Sequence, residues 1–132
     1  MSGFKIHSID DGRSPAMEYL PAGAITPKVG MALYQNAGQL AVCTGTTKPT
    51  YICMTERETA CTAGELIPVI RIQPDMILGT TASAAMTSVK LGGKVTIAAG
   101  GMQVTATTEN GVCEVVAMAD TAAGSEVLVR IA

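Results

Sequence analysis

The chain has 132 residues and a formal net charge of −2, with nine Lys and Arg against eleven Asp and Glu, and no cluster of positive charge of the kind that binding to a nucleic-acid backbone requires. It is 48% hydrophobic but only 3% aromatic, so its apolar character sits in small side chains, and a modest core that gains from burial against neighbours is expected. No run approaches the roughly 18 uncharged apolar residues of a membrane span, and Met1-Ser2-Gly3-Phe4-Lys5-Ile6 is not a basic block leading into an apolar one, so neither membrane nor export is expected and folding is expected in a cytoplasm.

Residues 1–20 differ from the rest. Ser8-Ile9-Asp10-Asp11-Gly12-Arg13-Ser14-Pro15 is polar, charged and aperiodic, and the reading is an extended N-terminal arm, with a β body over 21–132. Pro21, Gly23 and Pro27 punctuate the entry to the body. Asn36-Ala37-Gly38 reads as a hairpin turn between strands at Met31 to Tyr34 and Leu40 to Cys43. A loop at Gly45 to Pro49 precedes a strand at Tyr51, and Thr55 to Thr62 is a polar connection with room for one helical turn. Pro68 inside Leu66 to Ile72 predicts an edge strand or a bulge. The small-residue stretch Thr80 to Met86 predicts one short helix, and Ala99-Gly100-Gly101 and Asn110-Gly111 predict two further hairpin turns.

Two parts of the chain repeat one another, residues 28–72 and 90–131. Lys28-Val29-Gly30 corresponds to Lys90-Leu91-Gly92, and Thr62-Ala63-Gly64-Glu65 to Ala122-Ala123-Gly124-Ser125, while Cys53 and Cys113 are placed as equivalents. Self-similarity of this kind marks a fold built from one supersecondary unit used twice. The fold class is therefore mainly β: two similar small β units, barrel or sandwich-like, sharing one compact body behind the arm.

The pattern offers little to chemistry. His7 is the sole histidine and lies in the arm, which leaves no Ser-His-Asp or Cys-His arrangement on a rigid element, and no enzyme is expected. Nine residues separate Cys43 from Cys53 and seven separate Cys53 from Cys61, spacings that match no zinc element, so no metal is expected and the four cysteines read as buried free thiols. Gly92-Gly93 and Gly100-Gly101 lack the context of a phosphate-binding loop and read as turns, and no cofactor is expected. Arg71 and Arg130 end the two closing strands and are candidate oligomer contacts.

The run Tyr19-Leu20-Pro21-Ala22-Gly23-Ala24-Ile25-Thr26-Pro27-Lys28-Val29-Gly30-Met31-Ala32-Leu33, followed by Gly38 to Val42 and Lys48 to Met54, resembles the capsid decoration, or cement, proteins of tailed bacteriophages, the lambda head decoration class. That resemblance implies a homotrimer on the capsid exterior of a virion, at local three-fold positions, clamping major capsid protein subunits. The second copy of the unit departs from the simplest members of that family. On this reading Phe4, Lys5, Ile6, Ile9 and Arg13 of the arm are the capsid-binding residues, adding as an extended strand to an exposed sheet edge. The alternative class is a carbohydrate-binding or adhesive β module, for which Tyr19, Tyr34, Tyr51 and Phe4 are the aromatics available for stacking.

Overall fold

A computed structural model describes residues 3–9 and 16–132. Its elements are ten strands: β1 (Lys5–Ile9), β2 (Met17–Pro21), β3 (Ala32–Asn36), β4 (Gln39–Val42), β5 (Tyr51–Cys53), β6 (Leu66–Arg71), β7 (Met76–Thr81), β8 (Lys94–Val95), β9 (Cys113–Met118) and β10 (Glu126–Ile131). They form two antiparallel five-stranded sheets, ordered β2-β6-β5-β3-β4 and β1-β7-β10-β9-β8.

The first sheet closes on itself. Ala22, one residue past β2, makes a parallel bridge to Leu40 in β4, joining the two ends of the sheet around a core of Leu33, Leu40, Cys53, Ile67 and Val69. The second sheet is drawn together in the same way. Ala82, one residue past β7, bridges Val104 in parallel, and Val104 in turn pairs with Ile97. Leu78, Val95, Cys113, Val115, Val127 and Val129 fill this second core. Both are small barrels whose inward positions alternate along each strand.

The backbone shows that the two barrels are copies. Gly64 donates to the Ala22 carbonyl at 2.7 Å, and Gly124 to that of Ala82 at 2.8 Å. Ala22 donates to Glu65 and Ala82 to Ser125; Gly30 donates to Cys53 and Gly92 to Val115. Gly64 and Gly124 hold φ of 88° and 87°, and Gly30 and Gly92 hold 88° and 87°, a left-handed conformation that glycine enters at little cost. Each copy also begins earlier than the sequence repeat, with a lead strand, β2 or β7, that pairs antiparallel with its closing strand, β6 or β10.

The units pack into one body. Ala32, Ile52 and Ile70, on the outer face of the first barrel, join Phe4 and the second barrel's interior in a single apolar cluster. Phe4 is 3% exposed, and its N–H donates to the Gly30 carbonyl at 2.8 Å.

Several expectations are corrected. Where an arm is expected, Lys5–Ile9 and Met17–Pro21 are strands of the body: β1 pairs with β7 and β2 with β6, and Arg13 lies outside the described residues. Neither expected helical turn forms. Thr80 and Thr81 belong to β7, and Thr55 to Thr62 carries no helix. Pro68 lies in an interior strand, between β2 and β5, at the point where β5 ends at Cys53: its carbonyl accepts from Met54 at 3.0 Å, and the reciprocal bond that proline cannot donate falls just past the end of that strand. The equivalent of Cys53 is Val115, because Cys53 pairs with Val69 where Val115 pairs with Val129. The Asn110-Gly111 turn is closed by one bond, from the Gly111 N–H to the Thr108 carbonyl at 3.4 Å, and the segments it joins otherwise bond to β8 and Thr96: Thr105 donates to Thr96 and Val112 to Val95. The turns at Ala37-Gly38 and Gly100-Gly101 form as expected.

All four cysteines are free and buried. Burial pushes the thiols of Cys43 and Cys113 up to about 12. The Cys43 thiol donates to the Thr47 carbonyl at 2.8 Å.

Candidate functional site

β2 reads Met17-Glu18-Tyr19-Leu20-Pro21, and strand geometry sends successive side chains to opposite faces. Leu20 turns into the first barrel's core. Met17, Tyr19 and Pro21 turn outward, where their partners on β6 are Ile70, Pro68 and Leu66. Every residue of this outward double row is apolar, and three stand well into solvent: Met17 at 49%, Tyr19 at 63% and Leu66 at 58%. Isolated apolar residues on a surface need no explanation, whereas a contiguous row does.

The row runs into a groove. Ile70 lies beside Met17 and beside Ile52 of β5, and both isoleucines help to line an apolar cleft of about 230 Å³ with Phe4, Ile6, Val29 and Met54. Val29 on its rim is 42% exposed. On the opposite face of the same two strands Arg71 donates to both carboxylate oxygens of Glu18, at 3.2 and 3.3 Å, and stacks over the Tyr51 ring at 5.2 Å. Farther along, Arg57 pairs with Glu65, and the guanidinium hydrogen bond holds the Glu65 carboxyl below its ordinary value.

The second barrel serves as an internal comparison. Its outward double row, at the equivalent positions, is Ile77, Gly79 and Thr81 on β7 opposite Arg130, Leu128 and Glu126 on β10. Where the first barrel has Ile70 and Leu66, the second has Arg130 and Glu126. Arg130 lies 3.8 Å from Glu114, in the solvated arrangement expected of an ordinary sheet surface. The exposed apolar row is therefore a property of one copy and not a requirement of the fold.

The residues expected from sequence divide between this face and the interior. Ile6 lines the groove, and Lys5 lies beside it, exposed. Phe4 is buried in the shared core and anchors its segment, and Ile9 is half-buried on β1, paired with Met76. Arg71 and Arg130 are not equivalent: they sit one residue out of step in the two copies, and each holds a carboxylate of its own chain, Glu18 or Glu114. The expected aromatic platform reduces to one ring, since Tyr51 is 5% exposed, Phe4 3% and Tyr34 half-buried, leaving Tyr19 in the open. His7 is exposed on β1, and among the described residues no group of three or more His, Cys, Asp or Glu gathers as a metal site.

Met17 and Leu66 were not among the expected contact residues. Their signal, apolar residues at alternate positions on a strand whose inward positions are also filled, is visible only once β2 is recognised as a strand and not as arm. No family model matches this chain. No curated protein matches it either.

Proposed function

We propose that the protein is a structural virion component that docks on the outer surface of a phage capsid and stabilises the shell by bridging major capsid subunits. The observation that carries the reading is the exposed apolar row of Met17, Tyr19 and Leu66 on one barrel, whose counterparts on the copy are Ile77, Gly79 and Glu126, with Arg130 in place of Ile70. A face of this kind is a contact surface. Burying three half-exposed side chains contributes on the order of 1 kcal/mol each, which is weak for a single encounter. On a repeating lattice weak contacts suffice, because a protomer that touches two subunits gains its second contact at high effective concentration.

The build agrees with that use. Both barrels are closed, the thiols are buried, and Phe4 ties the N-terminal segment to the core, so the unit presents one rigid apolar surface. A trimeric assembly on three-fold positions is the arrangement that the resemblance implies, and it belongs to the proposal. The test is co-sedimentation of purified protein with empty, expanded heads of the virus whose genome encodes the chain. Saturable loading in multiples of three copies supports the reading, and the absence of loading at any concentration overturns it.

A further inference from the structure

We propose that the outer edge of β2 is an acceptor site for an extended strand of another protein, taken antiparallel opposite residues 16–19. The inference goes beyond the capsid reading and does not depend on it.

The chain contains its own precedent. In the second barrel the corresponding edge, that of β7, is occupied: β1 lies antiparallel along it, with Lys5 opposite Gly79, Ile6 opposite Leu78 and Ile9 opposite Met76. β2 and β7 are the same element in two copies, in the same register against their closing strands: Met17 pairs with Ile70 and Pro21 with Leu66, as Leu78 pairs with Val129 and Thr81 with Glu126. Shifted by the 60 residues that separate Gly64 from Gly124, the β1 slot falls opposite residues 16–19. Among the described residues no strand pairs with that edge.

The main chain is turned to receive one. Ala22 gives both of its backbone groups to the β6 side, donating to Glu65 at 2.8 Å and accepting from Gly64 at 2.7 Å. Backbone direction alternates along an antiparallel strand, so Leu20 and Glu18 also face β6, while Tyr19 and Met17 direct their N–H and C=O outward. Their equivalents, Gly79 and Ile77, are the residues that face β1. Pro21 holds the next outward position and lacks a donor, which ends the slot there. Side-chain exposure agrees: Ile77 is half-buried alongside β1, whereas Met17 stands 49% and Tyr19 63% exposed.

The occupant is a different chain. Pairing two copies edge to edge with Met17 against Tyr19 sets Glu18 opposite the second copy's Glu18, each already held by its own Arg71, so the two copies offer each other no complementary charge. The strand that fits instead has apolar residues at alternate positions, to lie with Met17, Tyr19 and Leu66, and a basic or neutral residue opposite Glu18. β1 itself has that character, Lys5-Ile6-His7-Ser8-Ile9 with no acid.

The probe is a synthetic peptide of residues 3–9, Gly-Phe-Lys-Ile-His-Ser-Ile, capped at both ends and titrated to millimolar concentration into isotope-labelled protein while backbone amides are followed by NMR. The expected result is saturable shifts and slowed exchange at Met17 and Tyr19. Binding should be at least about tenfold weaker, or about 1.4 kcal/mol, for a peptide N-methylated at Lys5, which loses the donor facing Tyr19. Tyr19→Pro removes the outward donor without touching a bond to β6 and should abolish the shifts; if that variant does not fold, the N-methylated peptide decides alone. Shifts that are absent from β2, that appear only at β7, or that are unchanged by N-methylation overturn the proposal.

Discussion

Tyr19 and Gly79 occupy the same position in two copies of one barrel, and among the described residues only Gly79 has a strand paired along its outer edge. That difference organises the surface of the molecule. Of the two equivalent sheets, one carries β1 along its edge and charged outward residues on its closing strand, while the other presents an apolar row at its edge.

Substitutions in that row should separate docking from folding. Leu66→Glu and Tyr19→Ser replace side chains that are more than half exposed, so chemical denaturation should place both within about 0.5 kcal/mol of the parent. Their loading on heads should fall by at least about tenfold, because a desolvated apolar contact is lost. Unchanged loading of both variants counts against this face as the contact.

Gly30 and Gly92 offer a matched pair. Both hold φ near 88°, which costs an alanine about 1–2 kcal/mol by itself. At Gly92 an added methyl meets nothing within 4 Å, whereas at Gly30 it meets the Phe4 nitrogen at 2.9 Å and the Gly3 Cα at 3.0 Å. Gly30→Ala should therefore destabilise by about 1–3 kcal/mol more than Gly92→Ala, since it also displaces the segment that carries Phe4. Equal losses in thermal or denaturant unfolding show that the Gly3-Phe4 crossing is absent in solution.

Phe4→Ala should cost about 3–5 kcal/mol, the range for removing a buried aromatic ring. For this reason deletion of the first residues is not a clean test of an arm. It removes core as well as surface, and lost binding by such a variant carries no information about docking unless its fold is verified.

How much of this was legible in the sequence depends on contrast between inside and outside. The repeat was visible because Gly64 and Gly124 mark turns that need left-handed backbone, and the β3–β4 hairpin because Ala37-Gly38 sits between two apolar runs. β2 was missed because its outward residues, Met17 and Tyr19, are apolar like its inward Leu20, so no alternation appears, and a charged stretch precedes it. Arg71 and Arg130 were matched by their distance from the strand end, and a slip of one residue in a strand reverses the face. The small residues from Thr80 to Met86 favour a helix only in isolation. In the fold Thr80 and Ala82 are held by β10 and Val104, and the Met86 N–H donates to Thr121 at 2.6 Å.

Alkaline pH should destabilise the protein through its thiols. The folded state keeps Cys43 and Cys113 protonated up to about 12, while an unfolded chain releases those protons from the ordinary value of 9.0. The unfolded state therefore binds fewer protons between these limits, and stability falls as pH rises from 9 toward 12, at no more than about 1.4 kcal/mol per pH unit for each thiol. Cys113→Ala should flatten that slope in urea unfolding measured across the range. A slope unaltered by the substitution assigns the alkaline loss to other groups.

Ala37→Asn should stabilise by about 0.5 kcal/mol. Ala37 and Gly38 form a two-residue hairpin turn with φ of 52° and 84°, and asparagine enters this region more easily than alanine. A loss of stability in thermal unfolding means that the turn adopts another form.

The most direct test of the docking account is a cryo-electron microscopy reconstruction of expanded heads saturated with the protein. The account predicts ordered density at fixed lattice positions, with Met17, Tyr19 and Leu66 turned against the shell. Density with the second barrel against the shell, or heads that remain bare, contradicts it.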